Sequence, residues 1–375
     1  MLAAGGARPA AGAPGDTAAP RAGHARAAPA QAAFRVYLPH AEGRDLLAVR
    51  VADRLAAMTG RVEEWDWEGG VAMSAAVASR ALVGEPTADG RVAAWLDDAL
   101  DEGRVRFGHP NHTVGAWAAL SLWEHRRDPR YRGLVDQAVA FLENEAPRVD
   151  GALAHNEQQL WDDTLYMSVP LLAWYGVRFD RPDVLALAAR EVRLHAVRLQ
   201  DPATGLWYHG WDAATGSHMS GAFWARGNGW AALATTEVLR ALPPDHPDRE
   251  ALAAGLRAQL IGLTRVQGRS GLWHTVVDRR DFPTETSGSA AITAALYRAI
   301  DDGVLPEAYR LFADAGRAAV LARVAADGTV TGVSAGTGVA PSIEVYAGID
   351  ASRIQPYGQG LVLVMLAAAR ADGRP

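Results

Sequence analysis

Thr204-Gly205-Leu206-Trp207-Tyr208-His209 carries a pattern that occurs four times in the chain. A turn residue, a glycine, small or apolar residues and a histidine follow in the same order in Asp150-Gly151-Ala152-Leu153-Ala154-His155 and in Ser270-Gly271-Leu272-Trp273-His274. Asp327-Gly328-Thr329-Val330 is a more degenerate copy. Successive glycines lie 54, 66 and 57 residues apart, about the length of two helices with a long connection. A repeated helix pair cannot bury its apolar face alone and must stack on its neighbours.

From Asp45 onward, apolar residues recur at helical spacing, and almost no window alternates with the period of two that a strand needs. The spacing predicts helices near 44–59, 69–82, 90–102, 113–126, 131–146, 163–176, 182–199, 229–241, 247–266, 287–301, 305–323 and 357–370. Six such pairs can close into a ring, so the expected fold is all-α, an (α/α)6 barrel. An open solenoid with a concave face is the rival. Other connections are short and start with proline, as in Asp128-Pro129, Arg181-Pro182 and His246-Pro247, which suits proline in a first helical turn. Long aromatic loops therefore gather at one mouth, where function is expected, and plain turns at the other.

The chain has 375 residues, a formal net charge of -6 and no cysteine. The charge argues against nucleic acid and anionic membrane surfaces as partners. The absence of cysteine excludes disulfides, thiolate metal sites and thiol nucleophiles. Residues 1–33, rich in Ala, Gly, Pro and Arg, read as a disordered leader, with one catalytic domain over 34–375. The leader has no apolar signal region and no run reaches spanning length, so a cytoplasmic protein is expected, a monomer or weak homodimer.

The richest segment for chemistry runs from His209-Gly210-Trp211-Asp212 to Phe223-Trp224-Ala225-Arg226-Gly227-Asn228-Gly229-Trp230. Aromatic faces bind the apolar faces of sugar rings, and an Arg fork recognises carboxylate, which together suggest an acidic sugar. Gly227 and Gly229 read as positions of positive φ and close approach to a ligand, with Asn228 capping the next helix. The same residues also fit a packed loop in which Trp224 and Trp230 anchor a core and Arg226 makes a buried ion pair.

A second block is Trp161-Asp162-Asp163-Thr164-Leu165-Tyr166-Met167. Asp162 suits helix capping. Asp163 lies one position deeper, where desolvation and a charged neighbour would raise its pKa toward that of a general acid. Glu285-Thr286-Ser287-Gly288-Ser289 reads as a helix start. No histidine pair carries a third metal ligand at a convincing spacing, and no Gly-x-Ser-x-Gly elbow occurs. Ser334-Ala335-Gly336-Thr337-Gly338 lacks the lysine and the strand of a phosphate loop.

Four of these blocks, in order, resemble the unsaturated rhamnogalacturonyl hydrolases of glycoside hydrolase family 105, relatives of the unsaturated glucuronyl hydrolases of family 88. They are Asp162–Met167, His209–Asp212, Phe223–Trp230 and Glu285–Ser289, within a match from Trp67-Glu68-Gly69-Gly70-Val71 to Tyr357-Gly358-Gln359-Gly360. The resemblance implies an (α/α)6 barrel that removes a terminal 4,5-unsaturated uronic acid, foremost unsaturated galacturonyl from rhamnogalacturonan oligosaccharides, with no metal or organic cofactor. It implies Asp163 as the general acid and His209, Trp224, Arg226 and Trp230 around the uronate. Asn111, His112 and Met167 are expected to join the substrate site. Family members usually carry a second aspartate ahead of the helix at 113–126, where this chain has Asn111. Asparagine can hold a sugar hydroxyl but carries neither charge nor a transferable proton. That departure bears on the substrate subset more than on the reaction. Two other functions fit the residues: an (α/α)6 sugar epimerase using His209 and His274 on opposite ring faces, and an inert carbohydrate-binding repeat protein, toward which Asn111 leans.

Overall fold

The computed structural model describes residues 45–58, 60 and 62–370, and the leader expected at 1–33 lies outside the described residues. Among the described residues thirteen α-helices follow one another: α1 (Leu46–Ala56), α2 (Trp67–Ala78), α3 (Arg80–Val83), α4 (Glu85–Asp101), α5 (Val114–Arg126), α6 (Pro129–Asn144), α7 (Asp163–Arg178), α8 (Pro182–Leu199), α9 (Ala225–Ala241), α10 (Arg249–Val266), α11 (Thr286–Asp301), α12 (Arg310–Leu321) and α13 (Pro356–Arg370). Each helix expected from the spacing is present. The 69–82 run divides into α2 and the single turn of α3, and α9 begins at Ala225 instead of 229.

Helices α2, α5, α7, α9, α11 and α13 each pack on the next, and α13 packs on α2. The ring is closed, so the molecule is an (α/α)6 barrel and not an open solenoid. Around it, α4, α6, α8, α10, α12 and α1 pack on α2, α5, α7, α9, α11 and α13. Composition sorts the layers. Outer α1 buries a single stripe at Ala48, Val51, Ala52 and Leu55, the spacing of one helix face. Inner α9 buries every residue except Arg240. No helix among the described residues is long and apolar enough to cross a membrane.

The repeated turn joins adjacent outer helices. Gly151, Gly205, Gly271 and Gly328 all have positive φ, at 85°, 79°, 92° and 88°. A Cβ on Gly205 would lie 2.3 Å from the carbonyl of Ala258 in α10, and one on Gly271 would lie 2.4 Å from that of Ala315 in α12. A Cβ on Gly328 would lie 2.4 Å from the carbonyl of Arg50 in α1, which carries the same contact across the closure. Glutamines lock these contacts. Gln200 donates to the carbonyls of Gly205 and Gly255, Gln267 to those of Gly271 and Phe312, and Gln359 to those of Gly328 and Val51.

Because each outer helix returns the chain, the inner helices run in one direction and their N-termini share one mouth. Trp67 and Tyr357, at the starts of α2 and α13, meet there with ring centroids 4.6 Å apart. Two short antiparallel ladders brace the loops. Strand β1 (Arg148–Val149) pairs with β2 (Ala152–Leu153). Strand β3 (Gln159–Trp161) pairs with β4 (Gly210–Asp212), which clips the loop before α7 to the loop before α9.

Candidate active site

The β3–β4 ladder sets Trp161 opposite Gly210, and just past it the Asp162 N–H donates to the His209 carbonyl at 3.1 Å. The His209 N–H in turn donates to the Ala222 carbonyl at 2.9 Å. These bonds bring the start of α7 beside the repeat histidine. His209 Nε2 then lies 3.2 Å from Asp163 Oδ2, and Nδ1 lies 2.6 Å from Tyr346 Oη. Tyr346 Oη also accepts the Ala340 N–H at 3.2 Å. A backbone N–H can only donate, so the phenol hydrogen is free to go to Nδ1. The chain of donors therefore runs from Ala340 through Tyr346 and His209 to Asp163, and it assigns the hydrogen of neutral His209 to Nε2.

Aromatic rings wall this chain. Trp224 lies 4.2 Å from the His209 ring and Trp161 lies 5.5 Å from it. Trp161 also stacks on His155 at 4.4 Å, and His155 meets His109 edge-on at 4.7 Å. His155 ends the first copy of the repeat as His209 ends the second, so the repeat delivers two histidines to the same mouth. Neither His155 nor Tyr346 was identified as a site residue from the sequence. For His155 the signal existed in its matching place in the repeat; for Tyr346, alone in the turn Ile343–Gly348, there was none.

The electrostatics reverse the expectation for the carboxyl pair. Burial and the neighbouring Asp163 charge hold the Asp162 carboxyl well above the usual carboxylate range. Burial works the same way on Asp163, but the hydrogen bond from His209 and the positive charge of Arg226 outweigh it and bring Asp163 below that range. Burial keeps His209 neutral against the pull of Asp163. Asp163 is thus the ionised member, not the raised one. Asp162 caps nothing: it makes no capping bond, it is wholly buried, and neither carboxyl oxygen has a hydrogen-bond partner among the described residues.

Arg226 is wholly buried, and its fork is engaged within the protein. It donates to Ser287 Oγ at 3.1 Å, to the Ser334 carbonyl at 3.0 Å and to the Ala335 carbonyl at 2.9 Å, with Glu285 at 3.7 Å and the faces of Trp224 and Tyr357 on either side. Glu285 accepts the Ser287, Gly288 and Ser334 N–H groups, capping α11 and holding the same segment. Residues 334–338, rejected as a phosphate loop, form a strap over the mouth. A Cβ on Gly336 would lie 3.3 Å from Trp67, and one on Gly338 would lie 3.3 Å from Trp161.

Trp230 has no exposed surface and stacks on Tyr166 at 4.6 Å, and Met167 is 1 % exposed, so both sit in the barrel wall behind the mouth. Asn111 and His112 lie half-buried on the 3-10 turn before α5, where the Asn111 N–H donates to His109 Nδ1. Gly227 and Gly229 lie inside α9 without positive φ. Gly227 is needed for packing instead: a Cβ there would lie 2.1 Å from Asp162 Oδ2. Asn228 also caps nothing, because its side chain bonds both the N–H and the carbonyl of Trp207. His274 is tied to the Phe282 carbonyl at 2.6 Å and makes no bond to His209.

Residues 48–371 match the family described as Glycosyl Hydrolase Family 88. The chain belongs to glycosyl hydrolase family 88. The family 88 chain is 34 % identical over 327 residues to the unsaturated rhamnogalacturonyl hydrolase YesR of Bacillus subtilis strain 168, covering 84 % of this chain and 93 % of that protein. A solved possible member of the GH105 family from Salmonella enterica serovar Paratyphi A superposes with a TM-score of 0.84 at 26 % identity, over 90 % of this chain and 97 % of that one. The unsaturated glucuronyl hydrolase of Bacillus sp. GL1 shares the fold, with a TM-score of 0.67 at 18 % identity over 87 % and 94 % of the two chains. This family 88 enzyme is a hydrolase with a close pair of carboxyls and aromatic walls at its mouth. Six helix N-termini converge there, and their positive ends favour an anion.

Proposed function

We propose that this enzyme removes a terminal 4,5-unsaturated uronic acid from oligosaccharides, unsaturated galacturonyl from rhamnogalacturonan fragments foremost. The observation that carries the reading is the Asp163–His209–Tyr346 chain beneath Trp224, which places one oriented carboxyl against an aromatic wall. The similarity to the B. subtilis unsaturated rhamnogalacturonyl hydrolase supports it. The substrate is an enol ether, so the reaction differs from glycoside cleavage by two carboxylates flanking the anomeric carbon. Arrival of the uronate adds a negative charge near Asp163 and raises its pKa, so the carboxyl takes a proton as the substrate seats. Asp163 then protonates C4 while positive charge builds at C5 and the ring oxygen. Water adds at C5 and returns a proton to the same carboxylate. The resulting hemiketal opens and releases the glycan. Because the Arg226 fork is already occupied, Arg226 acts on the uronate through its charge and through the strap it holds.

Lyase products from pectin, glycosaminoglycan and ulvan test this. The preferred one loses the ultraviolet absorbance of its double bond, and Asp163→Asn stops the loss while the far-ultraviolet circular dichroism stays unchanged. Undiminished turnover by that variant refutes the role of Asp163.

A further inference from the structure

Asp162 is a buried carboxyl without a hydrogen-bond partner among the described residues, in a recess formed around it. Gly227 leaves the space its oxygens occupy. An ionised carboxylate there would lose its hydration for little in exchange, so the neutral acid is the form the recess favours at rest. Beside it, one oxygen each of Asp162 and Asp163 and a ring nitrogen of His209 lie within 4.8 Å of one another. Two carboxyls that close resist ionising together. They differ in access and in partners. The Asp163 side chain is 14 % exposed and bonded to His209, whereas Asp162 has no exposure and no donor from another side chain except Asp163 itself. The other charged and titratable groups facing the pair are His109 from the turn before α5, His155 and His209 from the loops before α7 and α9, Arg226 from α9 and Tyr346 from the turn at 343–348.

We propose that Asp162 is a positioning residue that stores the proton Asp163 uses: the pair holds one proton, on Asp162 at rest and on Asp163 once an anionic sugar fills the mouth. This rests on the reaction proposed above. The proton passes from an Asp162 oxygen to an Asp163 oxygen and then to C4, where the electron pair of the C4–C5 double bond forms the new C–H bond. Water gives its oxygen to C5, and the proton it sheds returns to Asp163 and from there to Asp162. The pair ends as it began, and the sugar has gained one water.

Asp162→Asn keeps the shape and removes the store. Asp163 must then take its proton from solvent, so the alkaline limb of kcat/KM against pH moves down by about one unit, with about a tenfold loss at neutral pH and recovery in acid. Profiles that coincide after scaling overturn the proposal. Infrared spectroscopy supplies a readout independent of turnover. The carbonyl stretch of a buried protonated carboxyl persists at pH 8 in the wild type and in Asp163→Asn, and it is missing from Asp162→Asn. Asp162→Leu serves for the same comparison if the asparagine variant does not fold. A band common to all the variants, or absent from the wild type, overturns the proposal. A protein that shows the band but turns over no lyase product fails the assigned reaction and not the shared proton.

Discussion

Replacing Tyr346 with phenylalanine removes one oxygen atom from the hydrogen-bond chain behind the catalytic carboxylate. The ring is 1 % exposed and its hydroxyl joins His209 Nδ1 at 2.6 Å with the Ala340 N–H at 3.2 Å. The loss leaves a buried ring nitrogen without a donor and a buried N–H without an acceptor. Without the phenol only Asp163 itself holds the His209 hydrogen on Nε2, and in the other tautomer a bare Nε2 faces the Asp163 carboxylate 3.2 Å away. That forfeits a hydrogen bond to a charged group, worth about 1.5–3 kcal/mol. If Asp163 depends on that bond for its orientation, kcat falls by about 10- to 150-fold, at 1.36 kcal/mol per decade. The hydroxyl is engaged by His209 and Ala340, so KM stays within about twofold. Decay of the substrate's double-bond absorbance between pH 5 and 8 measures both constants, and a thermal melt separates the chemical effect from loss of fold. An unchanged kcat with an unchanged pH profile refutes the assigned tautomer and the chain built on it.

Trp230 is fully buried against Tyr166, so Trp230→Ala costs about 3–5 kcal/mol of stability in denaturant unfolding. Trp230→Phe keeps substrate KM near wild type, and a raised KM with intact stability would return Trp230 to the sugar site. His155 is held neutral by burial, its pKa lowered from 6.5 to about 3. The unfolded chain therefore binds a proton that the folded one refuses. The stability this residue contributes is present above pH 6.5 and lost on acidification toward pH 3, at about 1.4 kcal/mol per pH unit. Melts of wild type and His155→Gln at pH 7.5 and 5 check the sign, and parallel losses in the two proteins would exclude His155 as the cause.

The fold was legible where the chain had a single physical option. A positive φ with a neighbouring carbonyl about to collide admits only glycine, so Gly205, Gly271 and Gly328 mark three contacts between adjacent outer helices, and Gly151 shares their positive φ. Proline at the start of α6 and α8 is equally direct. The error at the start of α9 has the opposite cause. Gly227 and Gly229 are poor helix formers and read as loop, but the inner ring packs Asp162 and the Ala291 methyl against them. Tertiary crowding outweighed local preference there.

The site was legible as a list of residue types and not as a distribution of protons. Asp163 and His209 lie far apart in the chain, and no local pattern says that one will donate to the other and reverse the expected shift. Arg226 finds its acceptors on the strap at 334 and 335, which carries no motif for carbonyls turned inward. The departure at Asn111 gains meaning in this light. Where the resemblance expects a second aspartate, on a half-buried turn, a carboxyl would be ionised and would add a negative charge. The second carboxyl of this chain stands at 162, out of water, where burial favours its neutral form at rest. Moving the carboxyl inward keeps a proton in reserve while removing one charge from the rim, and a mouth that already holds ionised Asp163 is then less repulsive to an entering uronate.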